Sequence, residues 1–145
     1  MKDNDQQIIK FNYDNNFKID DFFISKSNEH IFKLLNNWPK WEKNFLNIIG
    51  EKFSGKSHLV DIFIKKFKGI KIDTKSLDEN IISSIKIHQN IILENLNLNI
   101  DEKLFYTLIN IVEQDNKYLI VTSKIPIVNL GFKLEDLKSR AKNFI

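Results

Sequence analysis

No cysteine occurs among the 145 residues, which excludes a disulfide scaffold and any metal site built on thiolates. Glycine appears four times and proline twice, so breaks in regular structure are few and each one is informative. Arginine occurs once, at Arg140, among 22 basic residues. No apolar run approaches the ~18 residues that cross a bilayer. The start, from Met1 to Asp5, is polar and acidic, unlike a secretory signal peptide. These absences lead to the expectation of a cytoplasmic globular protein with no membrane partner.

What is present is biased. The chain holds 24 Ile, 21 Lys, 18 Asn and 12 Phe, the pattern of AT-rich codon choice, so these abundances say little about function. An apolar content of 42% lets a chain of this length bury one core. The net charge of +3 is spread along the chain and mixed with 19 acids. Nucleic-acid binders concentrate basic residues in a stripe, so no direct sequence-specific DNA binding is expected. The densest basic group, Lys65-Lys66-Lys68, reads as a solvated helix end.

Residues 1–20 read as an extended or disordered tail, and 21–145 as one domain. A helix is predicted over 28–37 from the spacing of Ile31, Leu34 and Leu35, with a break at Pro39. Phe45 to Ile49 reads as a buried strand ending at Gly50. Helices are predicted over 57–67, 77–87 and 134–139, and a longer one follows the cap Asp101. Strands are predicted over 70–73, 90–96 and 117–122, with 143–145 beginning a last one. Trp38 and Trp41 read as packing near the strand base. Strands alternating with helices predict an α/β fold with a parallel sheet covered on both faces.

Gly50-Glu51-Lys52-Phe53-Ser54-Gly55-Lys56-Ser57 matches G-x-x-x-x-G-K-[ST], between a predicted strand and a predicted helix. Backbone N–H groups of such a loop surround phosphates at a helix N-terminus. Gly50, Ser54, Gly55, Lys56 and Ser57 are therefore the candidate nucleotide-binding residues, for ATP or ADP. Lys56 would pair with the β- and γ-phosphates, and Ser57 would hold Mg²⁺. Phe53 stands where many such loops carry a second glycine, which predicts weakened nucleotide affinity.

A P-loop site needs an acid at the end of a buried strand. Glu94 has that position and is the second candidate Mg²⁺ ligand; a strand-end acid facing solvent is the other reading. Asn95, which follows, cannot take a proton, so intrinsic hydrolysis is expected to be slow. Thr122 and Ser123 end the next predicted strand, where a polar residue senses the γ-phosphate or the chain simply turns.

Several elements then carry a family resemblance. They are Asp21-Phe22-Phe23-Ile24 with Asn28, Trp38-Pro39-Lys40-Trp41, and Gly50 to Ser57 followed by His58-Leu59. Further along come Asp101-Glu102 with Leu104-Phe105 and Asn110, Thr122-Ser123-Lys124 with Pro126, and Leu134 to Arg140. In order and spacing these resemble the AAA+ module of the DnaA/Hda family, most of all the alphaproteobacterial Hda type. The likeness runs from about Gln6 to Arg140.

The resemblance implies a P-loop NTPase core of the AAA+ kind, with His58 added to the nucleotide-binding set. It implies a regulator that associates with the DNA-loaded sliding clamp and stimulates hydrolysis of ATP bound to DnaA. The clamp would be held by Gln6-Gln7-Ile8-Ile9-Lys10-Phe11, through Gln6, Ile9 and Phe11; a tail that starts a strand is the other reading. Arg140 falls at the arginine-finger position, where it would act in trans on the γ-phosphate; a structural or interface ion pair is the alternative. Phe53, Glu94-Asn95 and Lys124 depart from the family pattern, and the helical lid subdomain is expected to be absent. Weak or no intrinsic ATPase activity is expected. A binding module in replication without nucleotide chemistry stays open beside the regulator.

Overall fold

The computed structural model describes residues 6–8, 23–50 and 56–145, with side chains described for 29–50 and 56–145. Strand β1 (Gln6–Ile8) pairs antiparallel with β2 (Phe23–Ser25), placing Gln6 opposite Ser25. Helix α1 (Lys26–Asn36) follows at once, two residues earlier than its apolar spacing predicts.

Four further strands form one sheet: β3 (Phe45–Ile49), β4 (Ile70–Asp73), β5 (Asn90–Leu96) and β6 (Tyr118–Ser123). Their order is β3-β6-β5-β4 and every pairing is parallel. Parallel neighbours need crossovers, supplied by α2 (Lys56–Phe67), α3 (Glu79–Ser84) and α4 (Glu102–Gln114). A last helix, α5 (Glu135–Ala141), follows β6.

Both faces of the sheet are covered, as expected. Ile91, Leu93, Leu119 and Val121 point to one face, where Phe105, Leu108, Val112 and Leu137 complete a core. Ile92, Ile120, Leu46 and Ile48 point to the other, against Leu59, Val60, Ile62 and Phe63 of α2. Adjacent strand residues thus serve opposite cores, which is why these strands read as unbroken apolar runs. Each fully buried Leu or Ile contributes about 1.5–3 kcal/mol. Trp38 and Trp41 close the second core at the strand base. Their rings lie 5.0–6.1 Å from those of Phe63, Phe67 and Tyr118, and the Trp41 indole N–H donates to Leu34 O at 2.7 Å.

Gly69 turns α2 into β4 with φ +156°, and a Cβ there would stand 2.8 Å from Asn90 O. The close approach explains the glycine better than a simple helix stop does.

The helix predicted over 77–87 is shorter. Asp78 caps α3 by accepting from Ile81 N at 2.8 Å, and the Ser84 hydroxyl donates back to Ile81 O at 2.8 Å. Such back-bonding competes with helix extension. The chain then tightens into a 3₁₀ turn over Ile85–Ile87. The buried Lys117 ammonium donates to Lys86 O and His88 O at 2.8 and 2.7 Å. Lys117 N–H itself donates to Val112 O, so β6 begins one residue later than predicted.

Asp101 caps α4, accepting from Lys103 N and Leu104 N at 3.0 and 3.2 Å. The α4 residue Glu102 accepts from Leu134 N at 2.9 Å, just before α5 begins. The predicted last strand is reduced to one parallel bridge. Ile145 N–H donates to Phe45 O at 2.8 Å, and Asn47 N–H to Ile145 O at 3.3 Å, along the free edge of β3. Among the described residues no helix is long and apolar enough to cross a membrane.

Candidate functional site

In an open parallel sheet, ligands bind outside the C-terminal ends of the strands, where strand order reverses. β3 is first in sequence among the four, yet it pairs with β6, the last. Ile48 and Ile49 lie beside Thr122 and Ser123, so both strands end together. Gly50 N–H donates to Ser123 O at 3.0 Å, which fixes the entry to the phosphate loop. Its exit is fixed too: Lys56, buried on the first turn of α2, donates its Nζ to Gly50 O. The loop positions Phe53, Ser54 and Gly55 lie outside the described residues. Ser57 and His58 stand in the first turn of α2, His58 half-buried.

Glu94 reaches this site from β5. The Ser57 hydroxyl is near enough to favour its carboxylate slightly, the smallest of the influences on it. Burial pushes the Glu94 pKa above the ordinary glutamate value, with Asp61 and Asp73 adding to the shift and Lys71 opposing it. Its Oε2 is buried with no hydrogen-bond partner among the described residues. A half-buried carboxylate with one oxygen unmatched, near a hydroxyl, suits a hard divalent cation. Among the described residues no cluster of three or more His, Cys, Asp or Glu could hold a metal on its own. Ser57 and Glu94 would therefore share the ion with a ligand's oxygens, as Mg²⁺ usually requires.

β5 bulges at this point. Its register against β6 shifts between Leu93 and Leu96, and Asn95 takes φ +63°. Asparagine tolerates that left-handed conformation better than most residues. Asn95 N–H leaves the ladder and donates to Thr122 Oγ1 at 2.9 Å, while its Nδ2 donates to Asp73 Oδ2 at 2.9 Å. The amide is the main cause of a lowered Asp73 pKa, with the Lys75 N–H acting the same way. Thr74 Oγ1 donates to Glu94 O at 2.8 Å, and Lys71 pairs with Asp61 at 2.7 Å.

Thr122 and Ser123 are both buried at the end of β6. The Ser123 hydroxyl donates to Ile125 O at 2.7 Å and accepts from Asn47 Nδ2 at 2.9 Å. Asn47 also accepts from Ile127 N at 2.8 Å, so it ties β3, β6 and the following loop into one unit.

Gly50, Lys56, Ser57, Glu94, Thr122 and Ser123 thus come to the same end of the sheet. Arg140 does not join them. It lies on α5 and meets α4: Asn110 Oδ1 accepts from its NH2 at 2.6 Å, and Glu113 Oε1 stands 2.8 Å from its NH1. Of the candidate clamp-binding residues, Gln6 begins β1, while Ile9 and Phe11 lie outside the described residues. Asn47, Asp61, Lys71, Asp73 and Thr74 had no motif to announce them, because tertiary pairing alone places them beside the site.

No protein-family profile and no curated protein sequence matches the chain. Solved structures do. AMPPCP-bound DnaA from Aquifex aeolicus matches with a TM-score of 0.72 at 16% identity, over 86% of this chain and 47% of that one. Domain III of the Thermotoga maritima replication initiation protein DnaA matches with a TM-score of 0.65 at 16% identity, over 86% and 62%. A putative primosome component from Streptococcus pyogenes matches with a TM-score of 0.63 at 13% identity, over 83% and 77%. The chain spans about half the length of the Aquifex DnaA structure. At these identities the likeness is one of fold: an α/β core with a parallel sheet between two helical layers, as in DnaA.

Proposed function

We propose that this chain is a DnaA-related AAA+ regulator of the Hda type, alphaproteobacterial-like, acting in the cytoplasm. It binds ATP or ADP with Mg²⁺, holds the sliding clamp through Gln6, Ile9 and Phe11, and stimulates hydrolysis of DnaA-bound ATP through Arg140. The observation that carries the reading is the position of Arg140. The one arginine of the chain sits against α4, apart from Lys56, Ser57 and Glu94. On this reading the arginine serves another molecule's γ-phosphate rather than its own, and the contacts with α4 hold it until then.

The nucleotide would lie on Gly50, Ser54, Gly55, Lys56, Ser57 and His58, with Thr122 and Ser123 facing its γ end. Mg²⁺ would be held by Ser57 and Glu94 and would neutralise charge on the phosphates. Lys56 binds phosphate as a point charge. Asn95 cannot act as a base, so the chain's own turnover is weak or nil. The arginine's planar fork engages phosphate oxygens in a way lysine cannot.

A second reading, a replication-associated binding module without nucleotide chemistry, draws on Ser123. Its hydroxyl proton is already committed to Ile125 O. The two readings separate in one assay: turnover of preloaded DnaA–ATP with clamp-loaded DNA, with and without this protein. The regulator accelerates turnover only when both protein and clamp are present. The binding module leaves it unchanged.

A further inference from the structure

Tyr106, Asn110 and Glu113 are spaced four and three residues apart on α4, so they form one stripe on its surface. Arg140 lies along that stripe. Its guanidinium carbon is 5.5 Å from the Tyr106 ring centroid, its NH2 donates to Asn110 Oδ1 at 2.6 Å, and its NH1 meets Glu113 Oε1 at 2.8 Å. The Arg140 side chain is only 24% exposed, whereas that of Glu113 is 54% exposed. The arginine is therefore folded down while its counter-ion remains near water. Glu113 also lines a cleft of about 360 Å³, together with Lys43, Asn44, Phe45, Asn116 and Asn143.

The geometry points to a retracted finger: Glu113 is the counter-ion that holds Arg140 against α4, and Asn110 is the positioning residue that orients its fork. This rests on the reading of Arg140 given above. An incoming phosphate that takes NH1 competes with the Glu113 carboxylate for it. The cleft gives that carboxylate somewhere to go, toward the Lys43 side. Asn110 is neutral and does not compete with phosphate. It keeps NH2 fixed while NH1 is released. The two α4 residues thus have opposite effects, one restraining the arginine and one aiming it.

Because Arg140 is the sole arginine, its availability can be read without DnaA. Phenylglyoxal attacks the guanidine group, and peptide mass mapping reports modification at that position alone. Glu113→Gln should speed modification roughly two- to fivefold, the size of a part-exposed ion pair. Raised salt should speed the wild type toward the same rate. In the DnaA–ATP assay, Glu113→Gln should lower the half-saturating concentration of the protein and leave its maximal effect intact. Asn110→Ala should instead lower the maximal effect. Equal modification rates in wild type and Glu113→Gln overturn the retracted finger, whatever the DnaA assay gives. Faster modification together with loss of DnaA stimulation only in Arg140→Ala supports both readings. Faster modification with no effect of Arg140→Ala keeps the retracted arginine and overturns its role toward DnaA.

Discussion

Asn47 Nδ2 donates to Ser123 Oγ at 2.9 Å while Asn47 Oδ1 accepts from Ile127 N at 2.8 Å. One amide therefore bridges β3, the end of β6 and the loop beyond it, next to the entry of the phosphate loop. Its removal leaves the Ile127 N–H without its acceptor and Ser123 Oγ without one donor. Asn47→Ala should cost about 1–3 kcal/mol, and several degrees of Tm. Asn47→Asp keeps the acceptor but sets a carboxylate oxygen against Val121 O, to which Nδ2 also donates, so it should cost at least as much. Thermal unfolding measures both.

Glu94 is a charge that burial disfavours. Its pKa is raised by burial first of all. A raised carboxyl pKa stabilises the fold most when protonated. That contribution is complete below pH 4.5, the group's ordinary value, and is lost as pH climbs through the folded value. Glu94→Gln should raise the Tm of the ligand-free protein at pH 7 and flatten its dependence on pH. The same change should abolish the extra stabilisation that Mg²⁺ gives over nucleotide alone. Melting curves across pH, with and without Mg²⁺–ATP, check both.

Much of this fold is legible in the chain, for reasons that can be named. β5 and β6 are buried on both faces, so Ile91 to Leu93 and Leu119 to Val121 are unbroken apolar runs. Asp101 is visible as a cap because its side-chain oxygen accepts from the N–H groups two and three residues on. What stays hidden depends on residues distant in sequence. The end of α3 is set by serine back-bonding and by Lys117, some thirty positions on. Asn95 reads as a missing acid, yet its φ of +63° and its bond to Asp73 give it a backbone reason. The approach of Gly69 to Asn90 O and the Asn47 bridge are likewise pairings no local pattern encodes.

Lys56 is buried at the start of α2 and already turned toward Gly50 O. Its charge is thus held at the mouth of the candidate phosphate loop. Losing a charge-assisted hydrogen bond of about 1.5–3 kcal/mol should make Lys56→Ala weaken nucleotide binding roughly ten- to a hundredfold. Calorimetric titration with Mg²⁺–ATP and Mg²⁺–ADP measures the ratio. Equal affinity in wild type and variant would remove Lys56 from the site.

For the clamp, the backbone of Gln6 to Ile8 is extended but paired with β2, so a peptide-binding groove would take it on its open edge or in place of that pairing. With two anchors worth more than about 1 kcal/mol each, Gln6→Ala combined with Phe11→Ala should weaken capture by the sliding clamp more than tenfold. Surface-immobilised clamp provides the readout. Unchanged capture would place the contact elsewhere.

The role of Arg140 is tested most directly by hydrolysis of DnaA-bound ATP in the presence of clamp-loaded DNA. An arginine acting in trans is worth about 10³–10⁵ in rate. Arg140→Ala should therefore return DnaA–ATP turnover to the rate seen without this protein, while clamp capture and nucleotide affinity stay at wild-type levels. Stimulation that persists in Arg140→Ala would contradict the account at its centre.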